Sequence, residues 1–474
     1  MNALWHDGLS LGERVKAGDL TAVEAVEAAI HRIESANDTL NAVVTKIYDR
    51  ALDAAKAAKA DGPFAGVPFL LKDLGGALAD VPFTGGSRFF RDDCPPADSV
   101  LVQRYKSAGL IPLGRTNTPE FGLNASTEPV LFGATHNPWD ITKSPGGSSG
   151  GSAASVAAGF VPLAHASDGG GSIRIPASCC GVFGMKTTRG RNTMAPYLGE
   201  SLAGCSVEHV VSRSVRDSAA ALDATAGPSI GDPYLAPPND RPFLDESKID
   251  PKRLRIAIAS EAFNGTPVHP DCVVATERAG VLCEQLGHIV EPASPRFDAA
   301  RLDRDYNALF SISASANIRQ RAKFVGRELD PDKFERVTWA MMAKAETFSA
   351  TDYVQLLNGL HSMSREICGF FEHYDLLLTP TLAQPPVPLG HLDMMMDDLD
   401  AYVDRLWRFA SFTYQFNVTG QPAMSVPLFW NDDDLPIGVQ FVGNYGDEAT
   451  LFQLAGQLER AAPWHDRYPS VFAA

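Results

Sequence analysis

Apolar residues recur at helical spacing in several stretches of the chain, and short apolar runs separate these stretches. The first predicted helix starts at Thr21, which has Glu24 three residues further on, the spacing of a capping box. Its apolar positions follow at helical spacing: Val26, Ala29, Ile30 and Ile33. The pattern predicts an amphipathic helix on the surface of the fold.

Further helices and strands alternate along the chain. Helices are predicted at residues 48–59, 99–108, 153–158, 274–286 and 448–461, and another is expected to start near Ile173. Strands are predicted at residues 66–75, 110–114, 161–166, 254–259, 288–291, 375–381 and 436–443. Residues 124–151 are rich in Gly, Pro and Ser, which predicts a loop. The alternation predicts an α/β fold with both sheet faces covered.

One large domain is the expected organisation, although 474 residues would also accommodate two or three smaller ones. Residues 236–252 are rich in Pro and Asp and resemble a surface connection. The sequence has no repeat and no low-complexity tract long enough for a linker. We therefore predict a single domain over residues 1–474, with its core at roughly 21–462.

Composition is ordinary for a globular protein, with 45% hydrophobic and 21% charged residues. The net charge of −16 is spread along the chain without a basic stripe, so nucleic-acid binding is not expected. The seven cysteines are irregularly spaced, which favours reduced thiols over a disulfide framework. The sequence shows no secretory signal and no apolar run near the ~20 residues of a membrane span. We expect a soluble cytoplasmic protein that makes no membrane contact.

Two loops rich in serine and glycine stand out as candidate chemistry. They are residues 144–152 and 168–176, and each places a serine, Ser148 or Ser172, among glycines. Backbone N–H groups in such loops can approach a ligand closely and stabilise an oxyanion. Taken alone, each loop is more typical of a flexible surface turn.

Two other motif interpretations are disfavoured. Residues 146–150 satisfy the G-x-S-x-G pattern of a hydrolase nucleophile elbow, but residues 137–145 before them are not a regular strand, which the elbow requires. Residues 181–187 do not have the spacing of a Walker A loop.

Lys72 changes the interpretation of the loops because it lies in an apolar predicted strand. Burial disfavours the ammonium form, and a neutral lysine amine is a competent general base. The alternative is a lysine whose amine extends to solvent while its aliphatic part stays buried. Asp73 follows on the opposite side of the strand, so it need not hold Lys72 charged.

These residues make the chain resemble the amidase signature family over nearly its whole length. The strongest match is residues 144–176, where the two loop serines stand 24 residues apart, and Lys72 lies in the family's Gly-Val-Pro-Phe-Leu-Leu-Lys-Asp block. Weaker matches are residues 116–122, 137–139, 214–217 and 435–440. The resemblance implies a central twisted mixed β-sheet covered by helices on both faces.

The resemblance also implies the site residues. Ser172 matches the nucleophile, Ser148 the bridging serine that usually follows a cis peptide bond, and Lys72 the base. The N–H groups of Gly169, Gly170, Gly171 and Ser172 match the oxyanion hole. Gly169 stands where many members have a larger residue, which would loosen the hole or make room for a bulky acyl group. Arg174 is expected to anchor the loop.

A serine acyl-enzyme suits the poor electrophilicity of an amide. A Ser-His-Asp triad is the rival, because His165 and Asp168 lie close to Ser172 in sequence, but a triad depends on geometry. With Lys72 and Ser148 present, His165 is interpreted as structural. A catalytically inactive binding protein is disfavoured for the same reason.

Within the family, several blocks resemble the branch that hydrolyses nylon oligomers, which also holds anilide, carbamate and peptide-amide hydrolases. The uncharged aromatic segment 409–426 suits an apolar or aryl substrate or, alternatively, core packing. Substrate contacts are expected from Gly122, Asn124, Tyr414 and Phe416. The rival function is the glutamine-hydrolysing subunit of a tRNA-dependent amidotransferase, but Ala410 stands where that subunit usually has an acidic residue.

No metal or other cofactor is expected, because the eleven histidines include no H-E-x-x-H pair. The expected partner is a small-molecule amide, with no nucleic acid and no membrane. A homodimer stays open as the assembly.

Overall fold

The computed structural model describes residues 7–473, and within this range eleven strands form one sheet. The strands are β1 (Val43–Lys46), β2 (Val67–Lys72), β3 (Leu110–Thr116), β4 (Leu163–Asp168), β5 (Phe183–Lys186), β6 (Val207–Ser212), β7 (Arg255–Ile258), β8 (Ile289–Pro292), β9 (Leu376–Pro380), β10 (Ala423–Trp430) and β11 (Pro436–Val442). Their order is β1-β3-β2-β4-β6-β5-β10-β11-β9-β7-β8. Strands β3, β2 and β4 are parallel, as are β9, β7 and β8, and antiparallel neighbours join the two groups.

Fifteen α-helices of the described residues pack around this sheet. They are α1 (Gly8–Ala17), α2 (Ala22–Leu40), α3 (Tyr48–Ala57), α4 (Val100–Ser107), α5 (Gly150–Ala157), α6 (Arg174–Cys180), α7 (Val215–Thr225), α8 (Phe243–Glu246), α9 (Pro270–Gln285), α10 (Ala299–Phe324), α11 (Arg336–Ala345), α12 (Ala350–Gly369), α13 (Leu399–Phe409), α14 (Gln415–Thr419) and α15 (Glu448–Ala461). The predicted capping box starts α2: Thr21 Oγ1 accepts from Glu24 N at 3.1 Å, and Thr21 N donates to Glu24 Oε2 at 2.8 Å.

Helices cover both faces of the sheet, as the side chains of strand β9 demonstrate. In β9, Leu376 and Leu378 pack in a cluster with α9 and α15, whereas Leu377 between them packs with α10 and α12. Successive side chains of a strand point to opposite faces, so the two clusters lie on opposite sides of the sheet. The prediction of a single large α/β domain with a mixed sheet covered on both faces is confirmed.

Pro112 interrupts β3 where the sequence has a proline within an apolar run. Phe69 of β2 pairs with Pro112, and the next residue, Leu70, pairs with Gly114, so β3 has one extra residue there. A proline has no N–H for the ladder, and a bulge is one of the few places where a sheet accommodates it. The bulge lies where β3 pairs with β2, at Phe69 and Leu70, and β2 continues from there to its end at Lys72.

Several predicted boundaries were wrong by a few residues. β4 begins two residues later than predicted, where pairing with β6 starts at Leu163. α9 begins four residues earlier, at Pro270, because His269 caps it by accepting from Asp271 N. The predicted connection at 236–252 contains the short helix α8, whose Phe243 N–H donates to the Asp223 carboxylate.

Residues 1–6, on which the expectation about a secretory signal rests, lie outside the described range. Within residues 7–473, no helix is both long and apolar enough to cross a membrane.

Candidate active site

Lys72 is the last residue of the buried strand β2, and its amine lies among serine hydroxyls. Nζ donates to Ser148 Oγ at 2.7 Å and to Ser167 Oγ at 3.0 Å. Burial lowers the pKa of Lys72 to about 7, although the negative charges of Asp168 and Glu208 oppose this shift. The side chain is completely buried, as its apolar strand predicted. A lysine with this pKa is substantially neutral near physiological pH.

Asp73, the next residue, belongs to a different network. Its Oδ1 accepts from Thr84 N at 2.9 Å and lies 4.0 Å from Arg115 Nε. The Lys72 carbonyl accepts from Arg115 Nη1 at 3.1 Å. Asp73 therefore has partners of its own and does not hold the Lys72 amine in its charged form.

Ser148 lies in an irregular loop directly before α5. The peptide bond from Gly147 to Ser148 is cis, as the family resemblance implied. A Cβ on Gly147 would lie 2.5 Å from the Ser126 carbonyl oxygen, so only glycine fits this close approach of two backbones. In the described chain no strand immediately precedes the loop, which agrees with our rejection of a nucleophile elbow.

The two serine loops are tied to each other through Ser149. Its N–H donates to Ser172 O at 3.3 Å, and its hydroxyl donates to Ser167 O at 3.2 Å. These bonds bring the loop of Ser148 against the turn of Ser172, although 24 residues separate the two serines.

Ser172 follows the turn between β4 and α6, and the Asp168 carboxylate holds this turn together. Gly171 N donates to Asp168 Oδ1 at 2.7 Å, and Ile173 N donates to Asp168 Oδ2 at 3.2 Å. Burial alone would raise the pKa of Asp168, but the charge and hydrogen bonds of Arg174 outweigh it and keep the pKa well below its ordinary value. The carboxylate is therefore ionised and acts as a fixed acceptor.

Arg174 anchors the turn, as predicted. Its guanidinium is completely buried and donates Nη1 to Thr413 O at 2.9 Å and to Gln440 Oε1 at 2.7 Å. It also donates Nη2 to Asn417 Oδ1 at 2.7 Å. All of these partners are protein groups, and Arg174 does not line the cavity beside the two serine loops.

A cavity of about 730 Å³ opens beside the two loops. Its polar end is lined by Ser148, Ser167, Gly169, Gly170 and Ser172. Apolar and aromatic side chains line much of the remainder, among them Phe121, Ile175, Phe310, Ile318, Leu406 and Trp407. This is the size and character of a pocket for a small organic molecule.

The expected oxyanion amides differ in what they contact. Gly169 and Gly170 line the cavity, whereas the N–H of Gly171 already donates to Asp168. Gly171 has φ +131°, and a Cβ there would lie 2.4 Å from Thr413 Oγ1, so this glycine is required by the backbone. A Cβ on Gly169 would meet Leu202 at 3.4 Å, an ordinary contact, so a side chain would fit at this position.

Two of the four expected substrate contacts lie at the cavity wall. Gly122 has φ +73°, and a Cβ there would lie 3.1 Å from Ser148 Oγ. Asn124 also lines the cavity, but its Nδ2 donates to Leu392 O at 2.8 Å and its Oδ1 accepts from Ser126 N at 3.2 Å.

Tyr414 and Phe416 do not line the cavity. Both are buried in a cluster with α10 and α12, because the segment forms the short helix α14 inside the core. The Tyr414 ring stacks on Tyr306 at 5.2 Å, and its hydroxyl donates to Asp303. The alternative interpretation of this aromatic segment, core packing, describes both residues.

His165 occupies a structural position. Its Nδ1 accepts from the backbone N–H of Lys72 at 3.3 Å, its Nε2 lies 3.4 Å from Glu208 Oε2, and it does not line the cavity. A ring in these contacts is not placed to serve as the base of a Ser-His-Asp triad.

Three polar residues of this site were not predicted. Ser167, the residue before Asp168, provides the second hydroxyl that the Lys72 amine contacts. It lies two positions after His165 on β4, and this alternation along a strand could have indicated that both side chains share one face. Tyr306 and Thr413 donate to the turn carbonyls from 137 and 243 residues away, so no local pattern announces them.

In residues 7–473, no group of three or more His, Cys, Asp and Glu side chains is arranged to hold a metal ion.

The chain is similar to known proteins over most of its length. The family model described as Amidase matches residues 24–452. The 6-aminohexanoate-cyclic-dimer hydrolase of Paenarthrobacter ureafaciens is 37% identical over 99% of this chain and 97% of its own length. A solved structure of 6-aminohexanoate cyclic dimer hydrolase complexed with substrate superposes with TM-score 0.94 at 36% identity, covering 99% of both chains. A bacterial aryl acylamidase of the amidase signature family superposes with TM-score 0.88 at 28% identity over 97% of both chains.

Proposed function

The chain belongs to the amidase family, and we propose that it hydrolyses small carboxamides through an acyl-enzyme on Ser172. One observation carries the proposal. A completely buried lysine amine contacts the Ser148 hydroxyl at 2.7 Å, and Ser148 and Ser172 line the same cavity. A base, a relay hydroxyl and a second hydroxyl that faces bound substrate are the parts that nucleophilic acyl transfer needs.

In the first step, Ser172 Oγ attacks the amide carbonyl carbon. Its proton passes to Ser148, whose own proton passes to the neutral amine of Lys72. The carbonyl oxygen becomes an oxyanion, which the N–H groups of Gly169, Gly170 and Ser172 stabilise. The N–H of Gly171 is left out of this set because it donates to Asp168.

In the second step, the tetrahedral intermediate collapses and the C–N bond breaks. Ser148 returns a proton to the leaving nitrogen and regains one from the Lys72 ammonium. Water then attacks the ester on Ser172 by the same relay and releases the carboxylic acid. Protons and bonds balance, and the only co-reactant is water.

The cavity supports a neutral and largely apolar substrate. Its charged wall residues already have partners in the protein: Arg321 pairs with Asp93 at 2.5 Å, and Glu208 Oε2 accepts from Gly76 N at 3.3 Å. The relatives are named for a cyclic amide oligomer and for aryl amides. We therefore propose cyclic or linear nylon-type oligomers, anilides and carbamates as the substrate class.

Glutamine is the less suitable substrate. Ala410, at the position where the amidotransferase subunit usually has an acidic residue, lines the cavity. A methyl group there provides no partner for the α-ammonium group of glutamine, which would be buried without a counter-charge.

We propose that the chain acts as one amidase domain in the cytoplasm, because all seven of its cysteines are free thiols, five of them buried. We propose no cofactor and no nucleic-acid partner, and a homodimer is the assembly to test by light scattering.

The experiment is a substrate panel with the purified full-length chain. We expect release of amine from cyclic and linear aminohexanoate oligomers, anilides or carbamates without ATP, tRNA or a second protein. Ser172→Ala is the matched control, because it leaves the cavity in place and removes one hydroxyl. Cleavage of glutamine alone, and only with added partner subunits, would replace this proposal with the amidotransferase function.

A further inference from the structure

The turn before Ser172 has three consecutive glycines and thus no side chain to fix its backbone. Glycine has more accessible backbone conformations than any other residue. An oxyanion hole, however, works because its N–H donors already point at the developing charge. The amides of Gly169 and Gly170 must therefore be oriented by groups outside the turn.

Two hydroxyl groups hold consecutive carbonyls of this turn. The Tyr306 hydroxyl donates to Gly169 O, and Thr413 Oγ1 donates to Gly170 O at 2.6 Å. In a trans peptide, the C=O and the following N–H point in opposite directions. The bond from Tyr306 thus turns the N–H of Gly170 away from α10, and this glycine lines the cavity.

The carbonyls on either side are held as well. Asn417 Nδ2 donates to Asp168 O at 3.0 Å, and Ile175 N donates to Gly171 O at 2.7 Å. Every peptide plane from Asp168 to Ser172 therefore has its carbonyl fixed by a donor. Tyr306 and Asn417 each hold a plane that carries the N–H of a cavity-lining glycine, Gly170 and Gly169 respectively. Asn417 also contacts the buried pair of Asp168 and Arg174, so Tyr306 is the residue whose donor can be removed without touching that pair.

We propose that Tyr306 is a positioning residue for the hydrolysis, because its hydroxyl aims the Gly170 N–H at the oxyanion. The inference rests on the proposed acyl-enzyme function and deepens it. Tyr306 does not line the cavity, and its hydroxyl contacts the Gly169 carbonyl, so its effect passes through the backbone of the turn.

Tyr306 is itself rigidly held, as a positioning group must be. Its ring is completely buried on α10, stacks on Tyr414 at 5.2 Å and packs against Trp407 at 5.8 Å. A Cβ on Gly170 would lie 3.0 Å from the Tyr306 hydroxyl oxygen, so the glycine is the residue that admits this hydroxyl. Phe310 and Ile318 of the same helix line the cavity.

The test is Tyr306→Phe, which removes the hydroxyl and keeps the ring. Complete loss of an oxyanion donor costs about 10²–10³-fold in kcat, and a donor that remains but is poorly aimed costs less. We expect kcat on a cleaved amide to fall roughly 10- to 100-fold, with KM and the pH profile unchanged. Affinity for a trifluoromethyl ketone analogue should fall by the same factor, whereas affinity for the corresponding alcohol, which forms no oxyanion, should not change.

Tyr105→Phe is the matched control, since it also removes a buried hydroxyl that donates to a backbone carbonyl, that of His209 at 3.2 Å. It should retain its rate within twofold. Gly170→Ala, whose Cβ would lie 3.0 Å from the Tyr306 hydroxyl oxygen and displace it, serves as the second variant if Tyr306→Phe does not fold, and it should likewise weaken ketone binding and not alcohol binding. A normal rate in Tyr306→Phe, or equal loss of affinity for ketone and alcohol, would overturn the inference. Inactive wild-type protein would instead contradict the proposed function.

Discussion

Asp168 and Arg174 form an ion pair whose side chains are completely buried, with two hydrogen bonds of 2.9 Å each. Six residues apart, they bracket the turn that carries Ser172. The guanidinium also contacts Gln440 and Asn417, near the other end of the chain. The pair therefore links the Ser172 turn to the C-terminal part of the sheet.

Removal of Arg174 should be strongly destabilising, because it leaves a buried carboxylate without its counter-charge. Breaking a buried pair in this way costs about 3–5 kcal/mol. We expect this loss in the free energy of unfolding for Arg174→Met, measured by urea titration. Arg408→Met is the control: its pair with Asp404 is more than half exposed, so it should cost less than ~1 kcal/mol. Equal effects of the two variants would mean that the buried pair contributes no more than a surface one.

The fold class could be predicted from the sequence because the buried strands are continuous apolar runs. Residues 376–380 and 436–442 are buried throughout, and both were predicted within two residues. Strand β6 was missed because Glu208 and His209 interrupt its apolar pattern, although both side chains have partners inside the protein. Helix α10 was missed because small polar residues occupy the middle of its 26 residues.

Only those site residues that stand out in their local sequence could be predicted. Ser148 and Ser172 belong to glycine-rich loops, and Lys72 interrupts an apolar strand, so each stands out locally. Tyr414 was expected at the substrate because it is aromatic. The sequence pattern of aromatic residues, however, does not distinguish a ring that lines a cavity from one that packs behind the cavity wall. Trp407, which does line the cavity, packs against Tyr414 with the ring centroids 4.4 Å apart and the rings tilted by 48°.

Ser172→Ala should abolish turnover and covalent labelling by a sulfonyl fluoride or an organophosphonate. The proposed nucleophile is lost, and the methyl group that remains forms no bond to sulfur or phosphorus. Labelling is measured by the mass of the intact protein. Ser155→Ala is the control, because its hydroxyl donates to Gly151 O at 2.7 Å inside α5 and does not line the cavity. Full labelling of Ser172→Ala would show that another residue is the nucleophile.

Metal chelation should not change the rate. No cluster of metal-ligating side chains occurs in residues 7–473, and the proposed mechanism draws its proton transfers from Lys72 and Ser148 alone. We expect the same kcat/KM before and after dialysis against EDTA. Activity that disappears on dialysis and returns with a divalent ion would reveal a metal requirement that this site does not explain.

Two buried lysines have lowered pKa values but different surroundings. Burial lowers the pKa of both Lys72 and Lys186 from 10.5 to about 7. Only the Lys72 amine contacts Ser148, whereas Lys186 donates to the carbonyl of Thr187 at 3.1 Å. Lys186 is therefore a matched control for any effect of simply removing a buried amine.

Because the base must be neutral, the rate should rise as pH increases through about 7 and level off above it. Lys72→Met should flatten this rise and cost orders of magnitude in kcat, whereas Lys186→Met should keep the rise.

Ser148→Ala should be milder than Ser172→Ala, since water can replace a relay hydroxyl but not a nucleophile. Glu208→Gln removes a negative charge that raises the pKa of Lys72, so the rise should shift to lower pH. The measurement is kcat/KM from pH 5 to 10 for each variant. If Lys72→Met kept a near-normal rate and an unchanged profile, the base would lie elsewhere, and His165 would be the next residue to replace.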